Sequence, residues 1–469
     1  MERLSGLDAA FLYGETPDMH LHVLGLIIID TSTMKGGYSY EKLREVVERR
    51  SQLIPAMRRR LAPVPFHLSR PYWITDQDFD IDYHLRRIAV PAPGGDRELA
   101  DIAGDIASRP LDRSKPLWEF WVVEGLENGH VAIVGKMHHS TVDGVTGASL
   151  LFHMFDLEPE PASEPDVPVV PTLERTRGDA ELFGRALLDI AKSPLGVARL
   201  VPGTALKVGQ VLLARRRRTG PSMAAPLTAP RTSFNASITS HRNVAFLQVP
   251  LDDVKKVKTA FGVKVNDVVL AVVGGALCRY LSDRGEMPDK PLIAAIPVSV
   301  HDQGGEGRAG ANQVSFMFST LATDVAGPAE RLRHIAETNE GAKEEQKLVG
   351  ATALQDWAEY ATPNMFSLAA RLYSGLGLAN RHAVVHNLII SNVPGPPVPL
   401  YLASGRLAAL YPLGPVMEGA GLNVTVLSNM DRIGFGFIAC RELMPNLWDL
   451  AAAVPESLAE LVKTAKEVS

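Results

Sequence analysis

The chain has 469 residues, 46% hydrophobic and 22% charged, with a formal net charge of −5. That length exceeds one ordinary hydrophobic core and predicts two domains, while the composition excludes a disordered chain and the net charge gives no support for a nucleic-acid partner. The two cysteines, Cys278 and Cys440, have no partner at metal-ligand spacing, so neither a disulfide framework nor a zinc site is expected and a reducing compartment fits.

At the N-terminus, Glu2, Arg3 and Asp8 interrupt the basic and then apolar run that a signal peptide needs, so none is expected. The stretch 22–30 (HVLGLIIID) reads as a buried strand, and 42–53 (KLREVVERRSQL) as a helix with one polar face. Residues 130–137 (HVAIVGKM) have strand composition, and 144–155 carry helical spacing. The segment 158–171 (EPEPASEPDVPVVP) is rich in proline and acid and reads as a linker. Beyond it, 181–218 has apolar residues at helical spacing, is broken by prolines and ends in the run Arg215–Arg218.

From about Asn235 the regular pattern returns. Strands are predicted at 243–250, 291–300, 314–321, 386–393, 422–430 and 432–439, and helices at 253–261 and 266–285, the latter with Asn266 as its N-cap. Strands and helices interleave, which predicts an α/β or mixed α+β fold. The division expected is a first lobe over 1–157, a linker with amphipathic helices over 158–234 and a second lobe over 235–469. The longest uninterrupted apolar run, Val268 to Cys278, is short of the roughly 18 residues that span a bilayer, so any membrane contact is expected to be peripheral.

The chemistry concentrates in 138–144, His-His-Ser-Thr-Val-Asp-Gly, at a predicted strand-to-helix junction where folds place reactive side chains. A histidine there can accept a proton near neutral pH. Asp143 is close enough in a turn to brace the backbone or meet a basic partner, and Gly144 lets the chain bend. A bare His-x-x-x-Asp arises by chance on the order of once in such a composition, and the doubled histidine with the following glycine far less often. Two other readings stay open at this point. The histidines could cap a strand, or a two-histidine, one-carboxylate set could hold a metal, although adjacent strand residues point to opposite faces and would share one ion awkwardly.

The motif 138–144, with 110–126 (PLDRSKPLWEFWVVEGL) upstream, resembles the bacterial bifunctional wax ester synthase/acyl-CoA:diacylglycerol acyltransferase family. The resemblance runs nearly end to end. It takes in 4–15 (LSGLDAAFLYGE), 17–22 (PDMHLH), 74–95, 266–281, 297–302 (PVSVHD), 311–316 (ANQVSF) and 391–397 (SNVPGPP), all in the family's order. One departure is Ala311, which stands where the family has the glycine of a Gly-Asn segment; Ser428-Asn429 is another, in a region where some members carry a different polar pair.

The resemblance implies a two-lobed fold like chloramphenicol acetyltransferase and peptide-synthetase condensation domains, with an interlobe tunnel. It implies transfer of a long acyl chain from acyl-CoA, as co-substrate and with no cofactor, to diacylglycerol or a fatty alcohol. His139 maps onto the general base, His138 onto a supporting position and Asp143 onto a structural aspartate. Asn266 is the oxyanion candidate, and a helix cap is its alternative role. Candidates for substrate contact are Pro116, Leu117, Trp118, Asp267, Ser391, Asn392 and Gly395. Core packing for Trp118, a first-turn charge for Asp267 and a plain turn for 391–397 remain open beside those roles. No metal and no nucleic acid are expected. The location expected is cytoplasmic, at most peripheral to a membrane or lipid droplet, with Arg215–Arg218 as one possible contact. Two other functions stay open: the same fold acting on an amine or other acceptor, and a catalytically silent protein that binds lipid surfaces.

Overall fold

The computed structural model describes residues 1–141, 152–160, 180–188, 227–299, 314–349 and 363–468, with isolated residues 178, 202, 224 and 225. The first half supplies β1 (Glu2–Arg3), α1 (Gly6–Gly14), β2 (His22–Asp30), α2 (Tyr40–Ser51), β3 (Arg59–Ala62), β4 (Tyr72–Thr75), β5 (Leu85–Ala89), α3 (Asp96–Ala107), β6 (Trp118–Glu124) and β7 (Val131–His138). The second half begins with β8 (Arg242–Pro250), α4 (Leu251–Phe261), α5 (Val265–Ser282), β9 (Ile293–Ser299), β10 (Val314–Thr320) and α6 (Pro328–Val349). It ends with α7 (Pro363–Gly375), β11 (Leu388–Pro394), β12 (Tyr401–Leu402), β13 (Gly405–Leu413), β14 (Leu422–Asn429), β15 (Arg432–Cys440) and α8 (Leu447–Val468). Every predicted strand, and the helices at 42–53, 253–261 and 266–285, has a counterpart shifted by at most a few residues. The predicted helix 144–155 and the stretch 158–234 lie largely outside the described residues; so do Asp143, Gly144, Ala311 and Arg215–Arg218.

Two six-stranded mixed sheets organise the chain, one in order β12-β13-β2-β7-β6-β5 and the other β10-β9-β11-β14-β15-β8. A small third sheet, β1-β4-β3, lies in the first half. In the first sheet β7 is central and every one of its residues is buried. A strand covered on both faces has no solvent side to alternate toward, so it reads as a continuous apolar run. Its one charge, Lys136, donates to the carbonyls of Ile106 and Arg109, both at 3.2 Å, and lies 3.3 Å from Glu119.

The contiguous division into lobes does not describe one feature. Strands β12 and β13 belong to the second half of the chain, yet they complete the first sheet, with β13 antiparallel to β2. The crossover brings the two sheets into direct backbone contact. A Cβ at Gly436 would overlap the carbonyl oxygen of Pro412, and one at Gly434 that of Leu410. Glycine at these two β15 positions is what lets β13 lie against it.

Helix α5 has the length and apolar composition to cross a membrane, which revises the expectation drawn from its longest apolar run. Its surface is already used, however. Val268 to Leu277 are all buried in the core of the second lobe with α8 and sheet residues such as Phe435 and Phe437. Both cysteines are free.

Candidate active site

The antiparallel pair β2 and β7 ends with His22 opposite His138. Beyond that pairing the backbone stays clamped on both sides. The His138 amide donates to Leu117 O (3.0 Å), the His139 amide donates to Leu21 O (2.9 Å), and the Thr141 amide returns to His138 O (3.0 Å). The two histidines therefore leave the sheet in a fixed turn, with their rings in different surroundings.

The His138 ring is almost fully buried, 1% exposed. Its Nδ1 accepts the Ser140 amide (3.0 Å) and lies 2.8 Å from the Ser140 hydroxyl. With Nδ1 accepting an amide hydrogen, the neutral ring carries its proton on Nε2. That atom is 3.4 Å from Glu15 Oε1, and His22 Nε2 is 3.3 Å from the same oxygen, close electrostatic contacts rather than well-aligned hydrogen bonds. The His139 ring is half-buried and stacks on Phe11 of α1, with centroids 4.2 Å apart and planes 22° from parallel. Its Nδ1 is buried, and an imidazole fixed by backbone and by stacking in a half-buried residue has what a proton-transfer group needs.

Sequence reasoning missed Glu15 as a site residue. Its Oε1 accepts the Leu21 amide at 2.7 Å, and its other oxygen accepts from Arg113 at 2.7 Å. It thereby ties the end of α1 to the start of β2 and to the segment before β6. Burial opposes ionisation of Glu15, but the facing His138 and His22 rings hold its carboxyl well below the usual carboxylate range. His22 is pushed by burial to about 3, against the pull of Glu15, so its ring is neutral. Burial also lowers His20, whose Nε2 lies 3.2 Å from Ser108 O and whose ring stacks on His22. Lys136, two residues before His138 on the same strand face, is likewise lowered by burial. The second half of the chain braces this cluster through Arg242, whose guanidinium donates to Asp18 O (2.6 Å) and whose backbone amide donates to the Ser108 hydroxyl (2.9 Å). The one signal of the cluster in the sequence is the pair of histidines in 17–22 together with the glutamate that closes α1.

The other predicted residues take different places. Leu117 and Trp118 are fully buried, and Pro116 is buried beside them. Trp118 Nε1 donates to Met57 O (2.9 Å) and its ring stacks on His84 at 4.5 Å, so it packs into the core of the first sheet. The segment still serves the site, because Leu117 O holds the His138 amide. Helix α5 is capped two residues earlier than predicted, at Lys264, because Asp267 Oδ2 accepts the Lys264 amide at 3.0 Å. Asp267 Oδ1 accepts from Asn339 at 2.8 Å and the residue is 6% exposed, so it anchors the helix start. Asn266, at the second helical position, is half-buried and its side chain makes no hydrogen bond to another described residue. Ser391 and Asn392 are half-buried residues of β11, the strand predicted at 386–393, paired with Thr425 and Val426 of β14. The turn starts at Gly395, whose amide meets the Ser428 hydroxyl at 3.4 Å. Among the described residues no group of three His, Cys, Asp or Glu side chains is arranged to hold a metal ion.

Comparison with known proteins agrees with this construction. Residues 4–269 match the wax ester synthase/diacylglycerol acyltransferase catalytic domain, and residues 310–462 match the C-terminal domain of the same family. A Mycobacterium tuberculosis (strain CDC 1551) relative, provisionally named a diacylglycerol O-acyltransferase, is 44% identical over 466 residues, covering 99% of this chain and 90% of that protein. The solved wax ester synthase/diacylglycerol acyltransferase of Marinobacter aquaeolei VT8 superposes with a TM-score of 0.70 at 29% identity, covering 99% of this chain and all of the other. The first condensation domain of the calcium-dependent antibiotic synthetase shares the fold, with a TM-score of 0.56 at 14% identity and 99% and 96% coverage. The chain is an acyltransferase and belongs to the wax ester synthase/diacylglycerol acyltransferase family.

Proposed function

We propose that this acyltransferase moves a long acyl group from acyl-CoA onto the hydroxyl of a lipid alcohol, diacylglycerol before fatty alcohol, with His139 as general base. The observation that carries the reading is the contrast between the two histidines. His138 is sealed and engaged through Nδ1, whereas the neighbouring His139 is only half-buried as a residue and its ring is held against Phe11.

In the proposed step the acceptor oxygen attacks the thioester carbonyl while His139 takes the hydroxyl proton. The tetrahedral oxyanion then collapses, the carbon–sulfur bond breaks, and His139 returns the proton to the coenzyme A thiolate. A neutral imidazole suits both halves of that transfer. No covalent acyl-enzyme and no resident cofactor enter the scheme. Asn266 is the proposed oxyanion donor: its side chain makes no hydrogen bond to another described residue, and it sits in the first turn of α5, where the helix dipole favours negative charge. His138, Ser140 and Glu15 are proposed to fix the turn that carries His139. Asp143 and Gly144 keep the structural roles that the family resemblance implies. The proposed location is intracellular, with peripheral contact to a lipid surface where the acceptor resides.

The test supplies palmitoyl-CoA with diacylglycerol, hexadecanol or a long-chain amine and follows thiol release and product. Ester formation is expected. His139→Ala is expected to lower kcat by roughly 10² to 10⁴ with the fold intact, and Asn266→Ala by roughly 10² or more. Amide as the main product, or full activity in His139→Ala, would overturn the proposal.

A further inference from the structure

Helix α7 has its polarity reversed for a helix facing water. Its inward side carries hydroxyls: Ser367 donates to Tyr13 O at 3.3 Å, and Ser374 donates to Glu418. Its outward side carries Met365, Leu368 and Leu372, which are 73%, 59% and 51% exposed, and Leu376 just past its end is 55% exposed. Steps of three, four and four residues place these four side chains in one stripe.

The stripe continues onto the first lobe. Asn364 donates to the carbonyl of Phe66 at 3.0 Å, and Phe66 is 77% exposed. Phe66 and His67 both take left-handed backbone conformations (φ 57° and 50°), unusual for residues of their bulk. The Phe66 ring lies 6.1 Å from that of Phe183, in the helical segment 180–188. That segment buries Leu182 and Ala186 against Val64 and Tyr72 and leaves Leu187 and Leu188 outward. Three separate parts of the chain thus bring large apolar side chains to one surface.

Along the α7 part of this surface the charge is one-sided. No Asp or Glu occurs between Tyr360 and Met417, although the whole chain carries 53 acids against 48 lysines and arginines. Arg371 and Arg381 occur within that stretch and both are exposed. Exposed apolar bulk flanked by Arg371 and Arg381, with the one acid of the 180–188 segment, Glu181, paired to Arg185 at 3.1 Å, complements an anionic lipid surface, where apolar residues enter the acyl boundary and cations meet phosphate.

The geometry points to α7 and its extension through Phe66 and 180–188 as the face on which this enzyme docks to an anionic phospholipid surface. Helix α7 packs directly on α1, and α1 presents Phe11 to His139. One helix layer, about 10 Å, therefore separates the docking face from the helix that holds the proposed base. A lipid acceptor would enter from the interface without crossing water. This assignment rests on the lipid-alcohol reading for its purpose, but its test does not use catalysis.

Flotation of the full chain is measured with vesicles of phosphatidylcholine alone and of phosphatidylcholine mixed with phosphatidylglycerol. Wild type is expected to float with the anionic vesicles. Leu368→Glu/Leu372→Glu, with unchanged circular dichroism, is expected to bind roughly tenfold or more weakly. Arg371→Gln/Arg381→Gln is expected to lose binding on the anionic vesicles and to flatten the salt dependence. Wild-type flotation by the double glutamate variant overturns the assignment. So does a wild type that stays in solution as a dimer which this variant dissociates, since the stripe would then be a self-interface. A protein that floats as expected yet makes no ester leaves the docking face standing and removes only the proposed reaction.

Discussion

Replacing Glu15 tests whether the turn carrying His139 is held from a distance. Glu15→Ala removes the acceptor of the Leu21 amide (2.7 Å) and of Arg113 (2.7 Å). Leu21 is buried, and its carbonyl receives the His139 amide. A hydrogen bond to a charged acceptor is worth about 1.5–3 kcal/mol, and a buried amide left unmet costs about 1–3 kcal/mol. Arg113 is 44% exposed, so its ion pair adds at most about 1 kcal/mol. The expected destabilisation is about 2–4 kcal/mol for alanine. Glu15→Gln keeps an oxygen for Leu21 and is expected to lose about half of that. Because Leu21 O positions His139, kcat is expected to fall roughly 10²-fold in Glu15→Ala, the scale of a displacement near 1 Å, while KM for acyl-CoA changes little. Urea unfolding and initial rates for the two variants check both numbers. An alanine variant with the wild-type midpoint and kcat would refute the proposed role.

Two further outcomes follow from the described contacts. Gly436→Ala drives a methyl group into Pro412 O at the crossover of the two sheets; a loss of about 2–4 kcal/mol in urea midpoint stability is expected, and a neutral result would mean β13 does not rest on β15. Burial holds His22 at about 3 in the folded chain, against about 6.5 unfolded, so the unfolded state binds the extra proton between those values. Its contribution is complete above about pH 6.5 and is lost as pH falls toward 3, at up to about 1.4 kcal/mol per unit. The depressed Glu15 carboxyl acts in the same direction, its contribution being present above its unfolded value and lost in stronger acid. His22→Gln is expected to flatten the stability curve between pH 4.5 and 6.5; curves for variant and wild type that run parallel would contradict this.

Local pattern was enough for much of the fold. Largely apolar runs such as 131–138 and the spacing of 251–261 are decided by neighbours in the chain, and their elements form where expected. The edge strand β5, with its mostly exposed residues, and the short β4 and β12 gave no comparable run to read. Helix α7 evaded a polarity pattern because its apolar stripe faces outward. Trp118 illustrates the limit for side chains: an aromatic residue beside a reactive motif suits a pocket wall and a core equally until the position of Met57 O is known.

The doubled histidine with its aspartate and glycine, the family it marks and the interleaved strands and helices are properties of sequence alone, since each is carried by residues close together in the chain. What sets His139 apart from His138 is not. It depends on Glu15, His22 and Phe11 being brought beside the motif by the β2–β7 pairing and by the packing of α1, and on β13 returning from the far half of the chain to close the same sheet. Such pairings join residues more than a hundred positions apart, and their register is fixed by burial of whole strand faces rather than by any local preference.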